Sequence, residues 1–184
     1  MAKIGSPLPV KLFIGVLTSI PEIMPSVEQQ LTALFGSVDL RSESFLFDWT
    51  HYYDETMGNP IYRYFLGFST LIDPSALAEN KIKTNELELA FAAEWTKVQR
   101  PINLDPGYME QSKVVLASAK NYYHRIMLSR GIYAEVTLHY QGGAWQSFPW
   151  TFPDYASDRY RQYFLSLRNL YRTQLEKGLT TATL

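Results

Sequence analysis

One carboxylate in the sequence stands among residues that could hold an anion. Residues 103–108 read Asn-Leu-Asp-Pro-Gly-Tyr, and Lys113 and Lys120 follow. A carboxylate in this setting could act as a general acid or as a metal ligand, so Asp105 is a candidate catalytic residue. Asn103, Lys113 and Lys120 could bind the anionic part of a ligand. Asp-Pro-Gly is also a common tight turn, because Pro fixes φ and Gly permits a positive φ. The sequence therefore predicts a turn here.

Residues 124–140 alternate between apolar and polar side chains, which is typical of a β-hairpin. A three-residue loop at 129–131 pairs Leu128 with Ile132, and Arg125 then lies directly across from Glu135. A two-residue loop would mix the faces, which the burial of one face disfavours. We expect one apolar face and one polar face, the latter with Tyr123, Arg125, Glu135, Thr137 and His139.

The polar face of this hairpin has two interpretations. If a helix or loop covers it, Arg125, Glu135 and His139 form a partly dry site that could perform acid–base chemistry. If it faces water, the same residues form ordinary cross-strand pairs worth about 0.2–1 kcal/mol each. Glu135 is a candidate catalytic residue, and Arg125 is a candidate ligand-binding residue.

Acidic, imidazole and phenol groups crowd residues 48–55, directly after a predicted strand. Asp48, His51 and Glu55 could together hold a divalent cation, since loops at strand ends often carry ligands. Their spacing matches no known metal signature, and a polar loop is the alternative. The cofactor stays unknown, with a divalent metal as one candidate, and Asp48 is a candidate ligand-binding residue.

The common nucleotide-binding and hydrolytic motifs are absent from the sequence. None of the ten glycines has the P-loop spacing followed by a lysine, and Gly-x-Gly-x-x-Gly does not occur. His-Glu-x-x-His and Gly-x-Ser-x-Gly are also missing. These absences exclude a P-loop nucleotide site and a Rossmann dinucleotide site.

Charge and composition exclude further classes. The 184 residues include 17 Lys and Arg against 18 Asp and Glu, and the net charge of −1 argues against nucleic-acid binding. The absence of cysteine excludes disulfides and thiolate metal sites and fits a reducing compartment. The longest apolar run, at 12–17, is too short to cross a membrane. We expect a cytoplasmic protein with neither a nucleic-acid nor a membrane partner. The oligomeric state is left open.

The candidate residues must be positioned by a regular order of elements. Strands are predicted at 11–17, 42–48, 62–68 and 113–118, and helices at 26–35, 73–95 and 157–176, the first of them with a capping box at 26–29. The order βαββαβ, then a hairpin and an amphipathic helix, predicts a ferredoxin-like α+β fold with an extension. A mixed α/β sheet is the alternative. We expect a single compact domain over residues 1–184.

Several of these segments resemble the uncharacterised prokaryotic domain-of-unknown-function family 4416. The resemblance spans nearly the whole chain in order, and the matching segments lie at 47–58, 83–86, 103–108, 124–126, 131–138 and 150–155. Members of this family are often labelled GTP-binding, so the resemblance implies a nucleotide ligand. It establishes no activity that can be assigned to individual residues. Asp48, Asn103, Asp105, Arg125 and Glu135 lie in the matching segments.

Two functional hypotheses follow. In the first, the protein binds, and could act on, a small anionic ligand such as a nucleotide or a phosphorylated metabolite. Without a P-loop, Arg125, Lys113 and Lys120 would hold its phosphates while a tyrosine stacks on its ring. Asp105 and Glu135 would supply acid–base or metal-ligand carboxylates, and Asp48 would close the site. In the second, the Tyr- and Trp-rich surface binds a protein partner without catalysis.

Overall fold

The computed structural model describes residues 3–181, which form four α-helices and nine β-strands. In chain order these are β1 Val10–Thr18, α1 Met24–Phe35, β2 Val38–Arg41, β3 Phe45–Leu46, α2 Asp54–Met57, β4 Tyr62–Ile72, α3 Leu77–Glu94, β5 Asn103–Met109, β6 Lys113–Ser118, β7 Ile126–Ser129, β8 Ile132–Gln141, β9 Ala144–Ser147 and α4 Asp158–Thr181. Short 3₁₀ turns, Pro21–Ile23 and Pro74–Ala76, precede α1 and α3.

The strands form one open antiparallel sheet with the order β2-β4-β1-β5-β6-β8-β7, and β3 and β9 pair with β4 and β8. Within β2-β4-β1-β5 the first strand lies between the third and the fourth, as in a ferredoxin-like core. β6 to β9 and α4 extend this core. The predicted α+β class with its ferredoxin-like core is therefore confirmed. The mixed-sheet alternative is excluded, because all described strand pairs are antiparallel.

Helices cover both faces of the sheet, so all nine residues of the central strand β1 are buried. Side chains alternate along a strand. Leu12, Ile14 and Val16 therefore pack with residues of α1 and α3 on one face. Phe13 lies on the other face, where its ring centre is 5.0 Å from that of Phe164 in α4. The predicted stripe of α4 is buried at Tyr160, Tyr163, Phe164, Leu167, Tyr171 and Leu175.

The predicted capping box of α1 is wrong. The helix begins at Met24, two residues before Ser26, and no side chain of the described residues caps its first turn. Proline suits this start because the missing N–H would have no partner in the helix. The predicted end at Gly36 is confirmed, with a φ of 89°.

The predicted turn at 103–107 is also wrong, because these residues belong to strand β5. Pro106 is tolerated since β6 pairs with β5 only from Gly107 onward, so that no described strand pairs with the outer edge at Pro106. A Cβ on Gly107 would lie 2.6 Å from both Phe13 and the Val115 carbonyl oxygen. The glycine therefore allows a close approach within the sheet.

The β7–β8 hairpin has the predicted pairing of Ile126 with Ala134, but a different turn. Arg130 and Gly131 both have positive φ, as in a two-residue type I′ loop, and Ser129 pairs with Ile132 in place of Leu128. A bulge at Leu128 recovers the pairing further along the strand.

The predicted separation of the hairpin into one apolar and one polar face is wrong. All four residues of β7 are exposed, including Ile126. The pairing of β8 with β6 also contains a register shift: Val115 pairs with Val136, but Val114 pairs with Leu138. This shift places Leu138 on the α4 side of the sheet. His139 therefore does not share the face of Glu135, whose partner Leu116 also lies on the α4 side.

None of the described helices combines the length and apolar character that a membrane-crossing segment needs.

Candidate functional site

A buried arginine lies over the central strand on the α4 side of the sheet. Arg63 of β4 is 3% exposed. Its Nη1 donates a hydrogen bond of 2.8 Å to Oδ2 of Asp105 in β5, and its Nη2 lies 3.6 Å from Oδ2 of Asp154, before α4. Gly15 of β1 makes room for this side chain, because a Cβ there would lie 2.8 Å from Nη1. Two carboxylates from separate elements thus flank one buried guanidinium.

Strands β5 and β6 separate before they reach Asp105. Their pairing covers only residues 107–109 of β5, so no described strand pairs with the outer edge of residues 103–106. Two side chains of α3 bind the backbone of Leu104 there. Glu88 accepts its N–H at 2.7 Å, and Lys81 donates to its carbonyl at 2.6 Å. The split in the sheet is therefore lined with charged groups that satisfy buried backbone atoms.

Arg100 and Asn103 link these groups to Asp105. Arg100 donates to Glu88 at 2.7 Å and to the side-chain oxygen of Asn103, whose amide donates to Asp105 at 2.8 Å. The Asp105 side chain keeps 27% of its surface exposed, and Arg100 keeps about a third. Solvent therefore reaches the set at these two residues. We call the whole set the Asp105 cluster: Arg63, Lys81, Glu88, Arg100, Asn103, Asp105 and Asp154.

The two aspartates of this cluster have opposite pKa shifts. Burial opposes the ionisation of Asp105, but the charges of Arg63 and Lys81 outweigh it and lower the pKa of its carboxyl group. Burial also opposes the ionisation of Asp154 and dominates there, so its pKa is raised despite the attraction of Arg63. Enzymes that need one acid and one base use such divergent carboxylates. The arrangement keeps Asp105 ionised at neutral pH.

A second buried set surrounds Glu135 on β8. The Glu135 side chain is 1% exposed, and its Oε2 accepts a hydrogen bond of 2.7 Å from Nε of Arg125 and lies 2.8 Å from Nε2 of His124. Arg125 also donates to Ser118 and to the Lys120 carbonyl, each at 2.9 Å. The predicted Arg125–Glu135 pair is therefore formed. We call His124, Arg125 and Glu135 the Glu135 cluster.

Aromatic rings cover the Glu135 cluster. The Trp150 ring stacks on His124 at 5.2 Å, and the guanidinium of Arg125 lies 6.0 Å from the Phe152 ring. Of the predicted polar face, Arg125 and Glu135 are therefore covered, whereas His139 lies on the other side of the sheet and Tyr123 is exposed. Glu135 is enclosed by these partners and has little contact with solvent.

Loop residues near Asp105 place two cations beside two tyrosines. Lys120 Nζ donates to the Tyr52 hydroxyl at 2.8 Å and lies 4.5 Å from the centre of its ring. The Arg100 guanidinium lies 5.8 Å from the ring of Tyr53. Burial, with a contribution from the charge of Asp105, raises the pKa of Tyr53 to about 12, whereas the bond from Lys120 lowers the pKa of Tyr52. We call Tyr52, Tyr53, Arg100 and Lys120 the rim.

Asp48 lines a surface cavity of about 410 Å³ next to the Asp105 cluster, together with Phe47, His51 and Asp54. The Phe47 ring lies between this cavity and the cluster, 5.5 Å from the Arg63 guanidinium. His51 bonds Asp54 at 2.8 Å. Within residues 3–181 no group of three or more His, Asp or Glu side chains could hold a metal ion, so the proposed cation site at Asp48, His51 and Glu55 is not formed.

The structure brings most of the predicted site residues into two neighbouring groups. Asn103 and Asp105 touch each other, and Arg125 contacts both Glu135 and the backbone of Lys120. Lys113 does not join them. It begins β6, about 17 Å along the strand from Ser118, and pairs with Glu110 at 3.1 Å.

Five members of the Asp105 cluster are not among the residues predicted from the sequence. Arg63 carried a usable signal, because it is the one charged residue in the otherwise uncharged segment 62–68. The other four had no comparable pattern: Lys81, Glu88, Arg100 and Asp154.

The model of one protein family, described as Domain of unknown function (DUF4416), matches residues 8–171. No curated protein and no solved structure gives a significant match to the chain.

Proposed function

We propose that this chain, which belongs to the DUF4416 family, binds a small anionic ligand such as a nucleotide or a phosphorylated metabolite at the rim above Asp105. The observation that carries this proposal is the position of Lys120. Its ammonium group is held by the Tyr52 hydroxyl, and it forms no ion pair with a carboxylate in the part of the chain that the structure describes. A cation that is held in position without a carboxylate partner attracts an anion.

The charge balance around the rim supports an anionic ligand. Inside, the carboxylates of Asp105 and Asp154 face Arg63, and Glu88 faces Lys81 and Arg100. The inner carboxylates thus have cationic partners, whereas Lys120 outside them pairs with no carboxylate among the described residues. Arg100 adds a guanidinium that is about one-third exposed and can donate further hydrogen bonds to phosphate oxygens.

The rings at the rim support a ligand with an aromatic part. Tyr52 is 64% exposed, and its ring packs edge-on against Tyr53 at 4.9 Å. An exposed tyrosine can stack on a nucleobase, and such stacking is worth about 1–3 kcal/mol per base. A nucleotide bound here would be held by side chains in place of the glycine-rich loop that this sequence lacks.

Asp105 is the residue we assign to chemistry on the bound ligand. Arg63 and Asn103 fix its carboxylate by hydrogen bonds of 2.8 Å each, and it remains partly open to solvent. An ionised carboxylate in that position can accept a proton from a ligand hydroxyl or from water. Glu135 is enclosed, so we assign to it the positioning of Arg125 and of the segment that carries Lys120.

Thermal unfolding with and without ligands tests the proposal. GTP, ATP, a set of phosphorylated metabolites and inorganic phosphate are each added to the wild-type protein, since a ligand at about 100 times its Kd stabilises the folded state by roughly 2.7 kcal/mol. At this chain length that gives a rise in Tm of roughly 5–10 °C. Failure of every compound in the panel to raise Tm would overturn the proposal.

Two lysine variants then locate the site. Lys120→Ala should weaken binding of the active compound by roughly tenfold, the loss expected for one charge-assisted contact. Lys113→Ala is the matched control, because Lys113 lies at the other end of β6 on Glu110. Equal binding by wild type and both variants would show that the ligand does not bind at the rim.

A further inference from the structure

One ring of the Glu135 cluster has a buried nitrogen without a partner. The side chain of His124 is 7% exposed, and no described residue forms a hydrogen bond with its Nδ1. Most buried polar atoms of folded proteins have such a partner. The other ring nitrogen, Nε2, lies 2.8 Å from Oε2 of Glu135. One nitrogen is therefore fixed by a carboxylate, while the second is left without a partner.

The hydrogen bonds of Glu135 determine which nitrogen of His124 carries the proton. Oε2 of Glu135 also accepts a hydrogen bond of 2.7 Å from Nε of Arg125. Because an arginine can only donate, this oxygen is an acceptor, and Nε2 of His124 donates to it. Nδ1 of the neutral ring then carries a lone pair. The Ser-His-Asp triad divides the two roles in the same way, although there the two nitrogens are exchanged.

Two exposed tyrosines cover the imidazole. Trp150 stacks on its face, with ring centres 5.2 Å apart. Tyr122 and Tyr123 pack edge-on against it at 5.4 and 5.0 Å, and they are 61% and 76% exposed. Exposed side chains change rotamer within nanoseconds. Movement of these two rings therefore opens the imidazole without disturbing the core.

The other two histidines lack this combination of features. His51 bonds Asp54, but its side chain is 98% exposed. His139 also has a buried Nδ1 without a described partner, but no described carboxylate forms an ion pair with its ring. Among the described residues, only His124 is both oriented by a buried carboxylate and left with an unpartnered nitrogen.

We propose that His124 is a general base that acts through Nδ1 on the hydroxyl group of a ligand. The O–H bond breaks, the proton passes to Nδ1, and the oxygen keeps the electron pair and becomes a nucleophile. The charges of Arg125 and Glu135 beside the ring cancel, so the ligand needs no charge at this point. Tyr122 and Tyr123 are the other titratable groups in contact with the ring. This role does not depend on a ligand at the rim.

Heteronuclear NMR of the histidine rings tests the position of the proton. At neutral pH the His124 ring should show the Nε2–H tautomer, with Nδ1 unprotonated. His124→Gln identifies the signal, because it removes the ring and keeps an amide donor beside Glu135. A protonated Nδ1 at neutral pH, in the other tautomer or in the imidazolium, would overturn the proposal.

Modification by diethyl pyrocarbonate, located by mass spectrometry, tests whether Nδ1 can be reached. His124 should react severalfold faster in a Tyr122→Ala/Tyr123→Ala double variant than in the wild type, because the cover is removed. Trp49→Ala is the matched control, since Trp49 is 49% exposed and has no ring contact with His124, and it should leave the rate unchanged. A rate at His124 that the double variant does not raise, or that Trp49→Ala raises equally, would overturn the proposal.

Discussion

Arg63 and Asp105 meet above a glycine: Nη1 of the arginine donates a hydrogen bond of 2.8 Å to the aspartate, and both residues lie on strands that flank Gly15 of β1. The contact joins β4 to β5 across the central strand, on the face that α4 covers. It places a buried cation beside a carboxylate that solvent can still reach. Any chemistry at Asp105 depends on this contact, because the arginine keeps the carboxylate ionised.

Gly15→Ala should destabilise the fold by about 1–3 kcal/mol. The new Cβ would lie 2.8 Å from Arg63 Nη1 and 3.2 Å from the Phe65 ring, so one of these packed groups must move. Urea unfolding measures the change in the free energy of unfolding. Gly5→Ala is the control, because no atom of the described part of the chain lies within 4 Å of a Cβ at that position. Equal stability of the two variants would show that Arg63 does not lie over β1.

Asp105→Asn should destabilise the protein by roughly 2–4 kcal/mol at pH 7, and the difference from wild type should shrink in acid. The pKa of Asp105 is lower in the folded state than its ordinary value near 3.8. Its ionised form therefore stabilises the fold fully above that value, and the contribution is lost as pH falls through the lowered folded pKa. Unfolding of both proteins at pH 7 and near pH 3 measures this, and a difference that grows in acid would contradict it.

Glu135→Gln should destabilise the protein by about 3–5 kcal/mol, because it leaves the buried Arg125 without its carboxylate and removes the partner of His124. Glu79→Gln is the matched control, since its pair with Arg130 is exposed and should be worth less than about 1 kcal/mol. Chemical denaturation of the two variants compares them directly. Similar losses in both would mean that the Glu135 cluster is open to water.

Glu88→Gln should weaken the edge of β5 at the split between β5 and β6. Glu88 accepts the N–H of Leu104 and pairs with Arg100, so we expect a loss of about 2–3 kcal/mol and faster hydrogen exchange at the Leu104 amide. Glu86→Gln on the exposed side of α3 should have neither effect. Unchanged exchange at Leu104 in the Glu88 variant would show that its N–H has another partner.

The regular elements were largely predictable, because each depends on a local pattern. β6 was predicted at its observed bounds, and the buried stripe of α4 follows the 3.6-residue period. The ferredoxin-like class was also predictable, although the strand that completes the core is β5 and not 113–118. Arg125 and Glu135 could be paired because the predicted three-residue loop and the observed two-residue loop with a bulge at Leu128 give the same register from Met127 back along the strand.

β5 was missed because Asp105-Pro106-Gly107 has the composition of a turn. Those propensities were overridden by long-range packing: Phe13 requires a glycine at 107, and the diverging β6 leaves room for Pro106. Neither contact can be inferred from a short stretch of sequence around residues 105–107. The same limit applies to β7, since alternation predicted that Ile126 would be buried, whereas it is 74% exposed.

By itself the sequence determined the fold class, the family, the absence of the common nucleotide-binding motifs and the pairing of Arg125 with Glu135. Only the tertiary structure decided that Arg63, Asp105 and Asp154 meet and that solvent reaches Asp105. Arg63 and Asp105 are 42 positions apart in the chain and come together because β1 lies between β4 and β5. A charge can be buried only where an opposite charge is brought to it. Strand order and packing decide where opposite charges meet, and the spacing of residues along the chain does not.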